Sequence, residues 1–87
     1  MVKCNVMIRI PDGLQGSGAT QFVRRANEFD CTIQIAAGSN RLNAKSLLGI
    51  MSLDLGQGQT VELLADGPDE TAALEILQNF LQAGKSL

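Results

Sequence analysis

Two short stretches carry the residue types from which chemistry could be built. One is Gly13-Leu14-Gln15-Gly16-Ser17-Gly18; the other is Lys45-Ser46 followed at once by Leu47-Leu48-Gly49-Ile50-Met51. A serine just before an apolar run reads as a helix N-cap, its hydroxyl accepting a hydrogen bond from a free first-turn amide for about 1 kcal/mol. The same hydroxyl is a candidate phosphoacceptor, because a phosphate at a helix N-terminus gains from the dipole and the unpaired amides. Modification would set a dianion beside Leu47, Leu48 and Met51, which so short a helix cannot bury completely. An exposed apolar patch with a switchable charge at its edge is a docking surface for a partner. Capping and phosphate acceptance at Ser46 are compatible.

The glycine-rich stretch admits two readings. Glycines where a helix begins let backbone amides point outward, so Gly16, Ser17 and Gly18 are a candidate anion-binding site. An ordinary flexible helix start explains the same residues. The spacing GxxGxG is not the dinucleotide fingerprint GxGxxG, and no acidic residue follows a parallel second strand. Ala83-Gly84-Lys85-Ser86 imitates the end of a phosphate-binding loop, but Asn79 stands where that motif needs glycine.

Catalytic groups are harder to find. The chain has no histidine, which removes imidazole as base, metal ligand or phosphoryl acceptor. Its serines therefore lack the usual partner, and Lys45 could activate Ser46 only if buried. Asp54, Asp66, Asp69 and Glu70 fall at loops and a helix start, where solvated capping explains them. Cys4 and Cys31 form no CxxC pair, and two thiols alone make no zinc site. We expect no catalytic residues, metal or cofactor, and hence no enzyme.

Composition bounds the partners. The chain has 87 residues, 45% hydrophobic and 18% charged, enough for one folded domain spanning 1–87. A net charge of −2 and only three aromatics (Phe22, Phe29 and Phe80) argue against direct nucleic-acid binding. Arg24, Arg25 and Arg41 form a local basic patch or simply a solvated face. Lys3, Asn5 and Arg9 interrupt the N-terminal apolar residues, so no signal peptide is expected. No stretch approaches the ~20 apolar residues of a membrane span. The expectation is a cytoplasmic protein with reduced thiols.

The elements that must position these residues follow from periodicity. Val2, Cys4, Val6, Ile8 and Ile10 alternate with Lys3, Asn5, Met7 and Arg9, predicting a strand over 2–10 with one buried face. Pro11-Asp12-Gly13 ends it. From Ala19 the period becomes helical: Ala19, Phe22, Val23 and Ala26 make a stripe, with Arg24, Arg25 and Glu28 mostly off it and an end near Asn27. Thr32–Ala36 reads as a second strand, Gly38-Ser39-Asn40 as a hairpin turn, and Arg41–Ala44 as a third strand. A short helix after Ser46 reaches Met51, and Thr60–Ala65 is a fourth strand. Pro68, Asp69 and Glu70 open a last helix with Ala73, Leu74, Leu77 and Leu81 buried and Gly84 as its cap. The order βαββαβα makes an α+β open-faced sandwich. Pattern alone does not separate it from a ferredoxin-like fold with an added terminal helix, whose function would be sensing a small ligand or anion.

The chain resembles the HPr family of the bacterial sugar phosphotransferase system over essentially its whole length. Pro11-Asp12-Gly13-Leu14, Gln21-Phe22-Val23 with Ala26, Asn43-Ala44-Lys45-Ser46-Leu47-Leu48, Leu53 to Gly58 and Gly67-Pro68-Asp69-Glu70 carry the resemblance. It implies a four-stranded antiparallel sheet with three helices on one face. The family's acceptor loop reads Gly-Leu-His-x-Arg-Pro-Ala; here Gln15, Ser17 and Gly18 replace its histidine, arginine and proline. An amide nitrogen is not a nucleophile at neutral pH, so no phosphohistidine relay is expected. Glutamine there with the serine motif kept resembles the family's catabolite-repression (Crh) branch. That resemblance implies a phosphoprotein modified at Ser46 by a bifunctional HPr kinase/phosphorylase, then acting as corepressor of a LacI-type catabolite control regulator. Gln15, Arg24, Leu47, Leu48 and Met51 would meet that partner, and a homodimer is compatible with the resemblance. A diverged phosphotransferase-system component with another partner is the further alternative.

Overall fold

The computed structural model describes residues 1–83. Its elements are β1 (Val2–Met7), α1 (Gly16–Ala26), β2 (Thr32–Ala37), β3 (Asn40–Asn43), α2 (Leu47–Ser52), β4 (Thr60–Asp66) and α3 (Glu70–Ala83). The element order matches the one predicted. The four strands form one antiparallel sheet in the order β1-β4-β2-β3, so β4 inserts between the first two strands of the chain. Gly38 and Ser39 connect the paired residues Ala37 and Asn40, with Gly38 at φ 61° as a two-residue hairpin turn requires.

Alternation along the strands sends Val6, Ile33, Ile35, Val61, Leu63 and Ala65 to one face. The helices cover that face with Ala19, Phe22, Val23 and Ala26 of α1, Ile50 of α2, and Ala73, Leu74, Leu77, Phe80 and Leu81 of α3. Phe22 and Phe80 meet with ring centroids 6.4 Å apart, joining α1 to α3. The opposite face stays open. Lys3, Asn5 and Met7 are exposed there, and only Leu64 is buried, beside its register partners Lys3 and Gln34.

Several predicted boundaries move. The alternation of the first strand persists to Ile10, with Ile8 and Ile10 buried, but ladder pairing with β4 stops at Met7–Thr60. Beyond it, Ile8 exchanges hydrogen bonds with the Gly58–Gln59 loop and Arg9 donates to Leu81. The third strand starts at Asn40 and ends at Asn43, one residue earlier than predicted at each end, because the hairpin register fixes it. Helix α1 starts at Gly16 rather than Ala19, taking in Gly16, Ser17 and Gly18 as its first residues. Arg25 also differs from a solvated side chain: it is half-buried, its guanidinium 4.7 Å from the Phe80 ring centroid. Gly84, Lys85 and Ser86, which the sequence reading named, lie outside the described residues.

Candidate functional site

Ser46 takes the place its sequence context predicts. It is the N-cap of α2, with extended backbone (φ −103°, ψ 112°), and its Oγ accepts a hydrogen bond from the Gly49 amide at 3.2 Å. Its carbonyl accepts from Ile50 at 3.0 Å, beginning the helical ladder. Gly49 suits the cap sterically: a Cβ there would lie 3.3 Å from the Ser46 hydroxyl. Ile50 is fully buried and anchors α2, whereas Leu47, Leu48 and Met51 are 37%, 83% and 48% exposed. One apolar side chain fixes the helix, and three form a patch around the serine.

The loop before Ser46 is held firmly. Lys45 donates its amide to Asn43 Oδ1 (2.8 Å), and its Nζ donates to the Phe29 carbonyl at 2.6 Å. Asn27, the C-cap of α1, donates its side-chain amide to the carbonyls of Val23 (2.9 Å) and Lys45 (3.2 Å). The exit of α1 is thus stitched to the start of α2, and Arg24 is exposed on the last turn of α1. No local sequence signal announces the Lys45–Phe29 and Asn27–Lys45 bonds, since they join residues 16 and 18 positions apart.

The start of α1 is built differently. Gln15 is its N-cap, exposed and extended (φ −131°, ψ 155°), and makes no side-chain capping bond. Its carbonyl accepts from Gly18 (3.0 Å) and Ala19 (3.4 Å). Gly13 and Gly16 have φ 64° and 52°, which favour glycine. Gly18 is excluded from carrying a side chain for another reason: a Cβ there would overlap the Gly13 carbonyl oxygen. Backbone conformation and close packing therefore account for all three glycines without a ligand. A shallow pocket of about 160 Å³ opens beside them, lined by Asp12, Ser17, Gln21 and Phe80 among others, with no basic residue in its lining to hold an anion.

Other titratable groups are structural. Burial pushes the Cys31 thiol up to about 11, the Asp69 carboxylate adding to the effect, and burial also raises the half-buried Cys4 thiol. Neither cysteine is an activated nucleophile. Asp69 accepts from the backbone amides of Asp30 (2.8 Å) and Cys31 (2.9 Å), bonds that hold its carboxyl below the usual range. It ties the start of α3 to the approach to β2, a link beyond the solvated capping read from sequence. Among the described residues, no group of three or more His, Cys, Asp or Glu is arranged to hold a metal ion. No helix is long and apolar enough to cross a membrane, again among the described residues.

Together these features define a small open-faced sandwich protein with a capping serine at the edge of an exposed apolar patch. The family model described as the PTS HPr component phosphorylation site matches residues 2–83, and the chain belongs to the HPr family. It is 40% identical over 82 residues to the HPr-like protein Crh of Halalkalibacterium halodurans, covering 94% of this chain and 98% of that one. Among solved structures, an HPr from Thermoanaerobacter tengcongensis superposes with a TM-score of 0.92 at 35% identity, each chain fully covered. The crystal structure of Crh from Bacillus subtilis, a swapped-domain dimer, gives 0.75 at 40% identity over 94% of both chains. Similarity thus extends to phosphocarrier and Crh branches alike.

Proposed function

We propose that this chain is a regulatory, non-catalytic member of the family, of the Crh type, switched by phosphorylation of Ser46. The observation that carries the reading is the contrast between two helix starts: the Ser46 hydroxyl caps α2 beside Leu47, Leu48 and Met51, which are left exposed, while Gln15 at the start of α1 offers no nucleophile. In the modification, Ser46 Oγ attacks the γ-phosphorus of ATP, the hydroxyl proton passes to the kinase, and ADP leaves. The phosphate then sits at the positive end of α2, where first-turn amides can donate to its oxygens. The helix need not unfold. Net charge changes from −2 to about −3.5 to −4, concentrated at the patch.

The partners in this reading are an HPr kinase/phosphorylase that writes and erases the phosphate, and a LacI-type catabolite control regulator for which the phosphorylated chain is corepressor. Leu47, Leu48 and Met51 give the apolar contact, with Gln15 and Arg24 at its margin. The site is cytoplasmic, within a single domain and without cofactor, and a homodimer like that of the Bacillus subtilis relative is part of the reading. One observation favours a second reading: Ser17 stands where the family has an arginine, which fits a diverged phosphotransferase-system component docking on another partner.

The test is calorimetric titration of the regulator with the chain before and after incubation with ATP and the kinase, the phosphosite being mapped by mass spectrometry. A single phosphate on Ser46 and markedly tighter binding are expected. Absence of phosphate on Ser46, or equal affinity of both forms, would overturn the proposal.

A further inference from the structure

The sheet has two edges, and they differ. β3 is four residues long, whereas β1 offers six residues paired on one side only, to β4. Successive residues of an antiparallel strand turn their amide and carbonyl to opposite sides. Ile8 exchanges bonds with Gly58 and Gln59 on the β4 side, and Arg9 donates the other way, to Leu81 of α3. Counting back from there, Lys3, Asn5 and Met7 turn their amides and carbonyls away from β4, and all three residues are exposed. Neither proline nor bulge interrupts the strand, and Lys3 is its one charged residue.

A groove of about 280 Å³ runs beside this edge, between β1 and α3. Val2 and Cys4 line it from the strand. Thr71, Leu74, Glu75 and Gln78 line it from one flank of the helix, at spacings of three and four. Its single charge is Glu75, which is exposed and, among the described residues, has no ion-pair partner. A free strand edge beside an apolar groove suits an extended peptide bound as an added strand. Main-chain bonds then give affinity, and pockets for alternate side chains give specificity.

We infer that the β1 edge and the α3 groove form a second docking surface, for an extended segment of another protein whose alternate side chains are apolar and basic. The apolar side chains cover Val2, Cys4 and Leu74, and the basic one meets Glu75. Charge decides against a second copy of this chain. Antiparallel pairing of two β1 strands about Asn5 uses all three outward residues and sets both α3 flanks on the same side of the joined sheet. The two Glu75 carboxylates are then brought toward each other, and α3 has no Lys or Arg to offset them. This surface shares no residue with the Ser46 patch, so the inference holds whether or not Ser46 is a phosphoacceptor.

The test is an NMR titration of the nitrogen-15-labelled chain with two blocked hexapeptides, acetyl-Thr-Val-Thr-Arg-Thr-Val-amide and the same peptide with Glu in place of Arg. The Arg peptide should shift the amides of Lys3, Asn5 and Met7 together with those of Leu74 and Glu75, leaving Ser46 and Leu48 unmoved. It should bind about 2- to 5-fold tighter than the Glu peptide, the range of one exposed ion pair. Glu75→Lys should reverse that preference. Asn5→Pro should abolish binding, because it removes an outward amide and none of the bonds to β4. Absence of shifts at residues 3–7, equal affinity of the two peptides, or an unchanged preference in Glu75→Lys would overturn the inference. Binding retained by a folded Asn5→Pro would do the same. So would concentration-dependent protection of the outward amides without peptide, since a second copy would then hold the edge. Should Asn5→Pro not fold, Glu75→Lys, a change at an exposed position, decides alone.

Discussion

Two helix starts lie within this small fold, and they solve the same problem in opposite ways. At α2 a side chain satisfies the free amides: Ser46 Oγ accepts from Gly49, and the turn before it is pinned by Lys45, Asn27 and Asn43. At α1 the Gln15 side chain caps nothing, and the loop is shaped by glycine backbone packed on backbone. The first arrangement leaves a nucleophilic oxygen at a positive helix end beside exposed leucines. The second has no side-chain cap and no exposed large apolar side chain beside it. A helix N-terminus is thus only an opportunity for phosphate; the side chains around it decide whether the opportunity is used.

α1 packs on α3 through Phe22 and Phe80 and its exit holds the start of α2, so the harshest way to break the comparison is to loosen α1 itself. Phe80→Ala deletes a ring that meets Phe22 and lies under the Arg25 guanidinium. A loss of about 3–5 kcal/mol in urea unfolding is expected. Leu48→Ser addresses the surface alone. With that side chain 83% exposed, stability should stay within about 0.5 kcal/mol, while binding of the phosphorylated chain to the regulator should weaken by about 2 kcal/mol in calorimetry. The caps give the sharpest contrast: Ser46→Ala should cost about 1 kcal/mol with an unchanged denaturant slope, and Gln15→Ala less than about 0.5 kcal/mol. Equal losses at 46 and 15 would dissolve the distinction.

The smallest effect concerns pH and leaves both starts untouched. Asp69 has its carboxyl pKa depressed by the Asp30 and Cys31 amides, and that of Glu70 is lowered mainly by the Gly67 amide, which it accepts at 3.0 Å. Groups depressed on folding stabilise above their unfolded pKa, roughly 4, and that contribution is lost as pH falls through their folded values. Asp69→Asn should flatten the acid limb of stability against pH without altering the difference between the two caps. Thermal unfolding from pH 2 to 7 reads this directly.

Much of this was legible in local pattern. Alternation at residues 2–10 gave the buried face of β1, and the stripe Ala19, Phe22, Val23 and Ala26 gave that of α1. Serine before an apolar run was enough to place the Ser46 cap. What escaped was set by distant partners. The end of β1 depends on where β4 starts, and the insertion of β4 between β1 and β2 has no local signature. The three glycines at 13, 16 and 18 pointed toward an anion or a flexible helix start, since packing of Gly18 on Gly13 and of Gly13 on Leu55–Gly56 is invisible in spacing. Phe80 was available to pattern reading: it continues the face of Ala73 and Leu77 at helical spacing and packs in the core.

The central claim is that α2, and not α1, carries the chemistry. It is tested most directly by offering the unmodified chain two donors side by side: ATP with HPr kinase, and phosphoenolpyruvate with Enzyme I. Intact-mass measurement should show one phosphate from the first donor, absent in Ser46→Ala, and none from the second. Phosphate acquired from phosphoenolpyruvate, or kinase labelling that persists in Ser46→Ala, would contradict it.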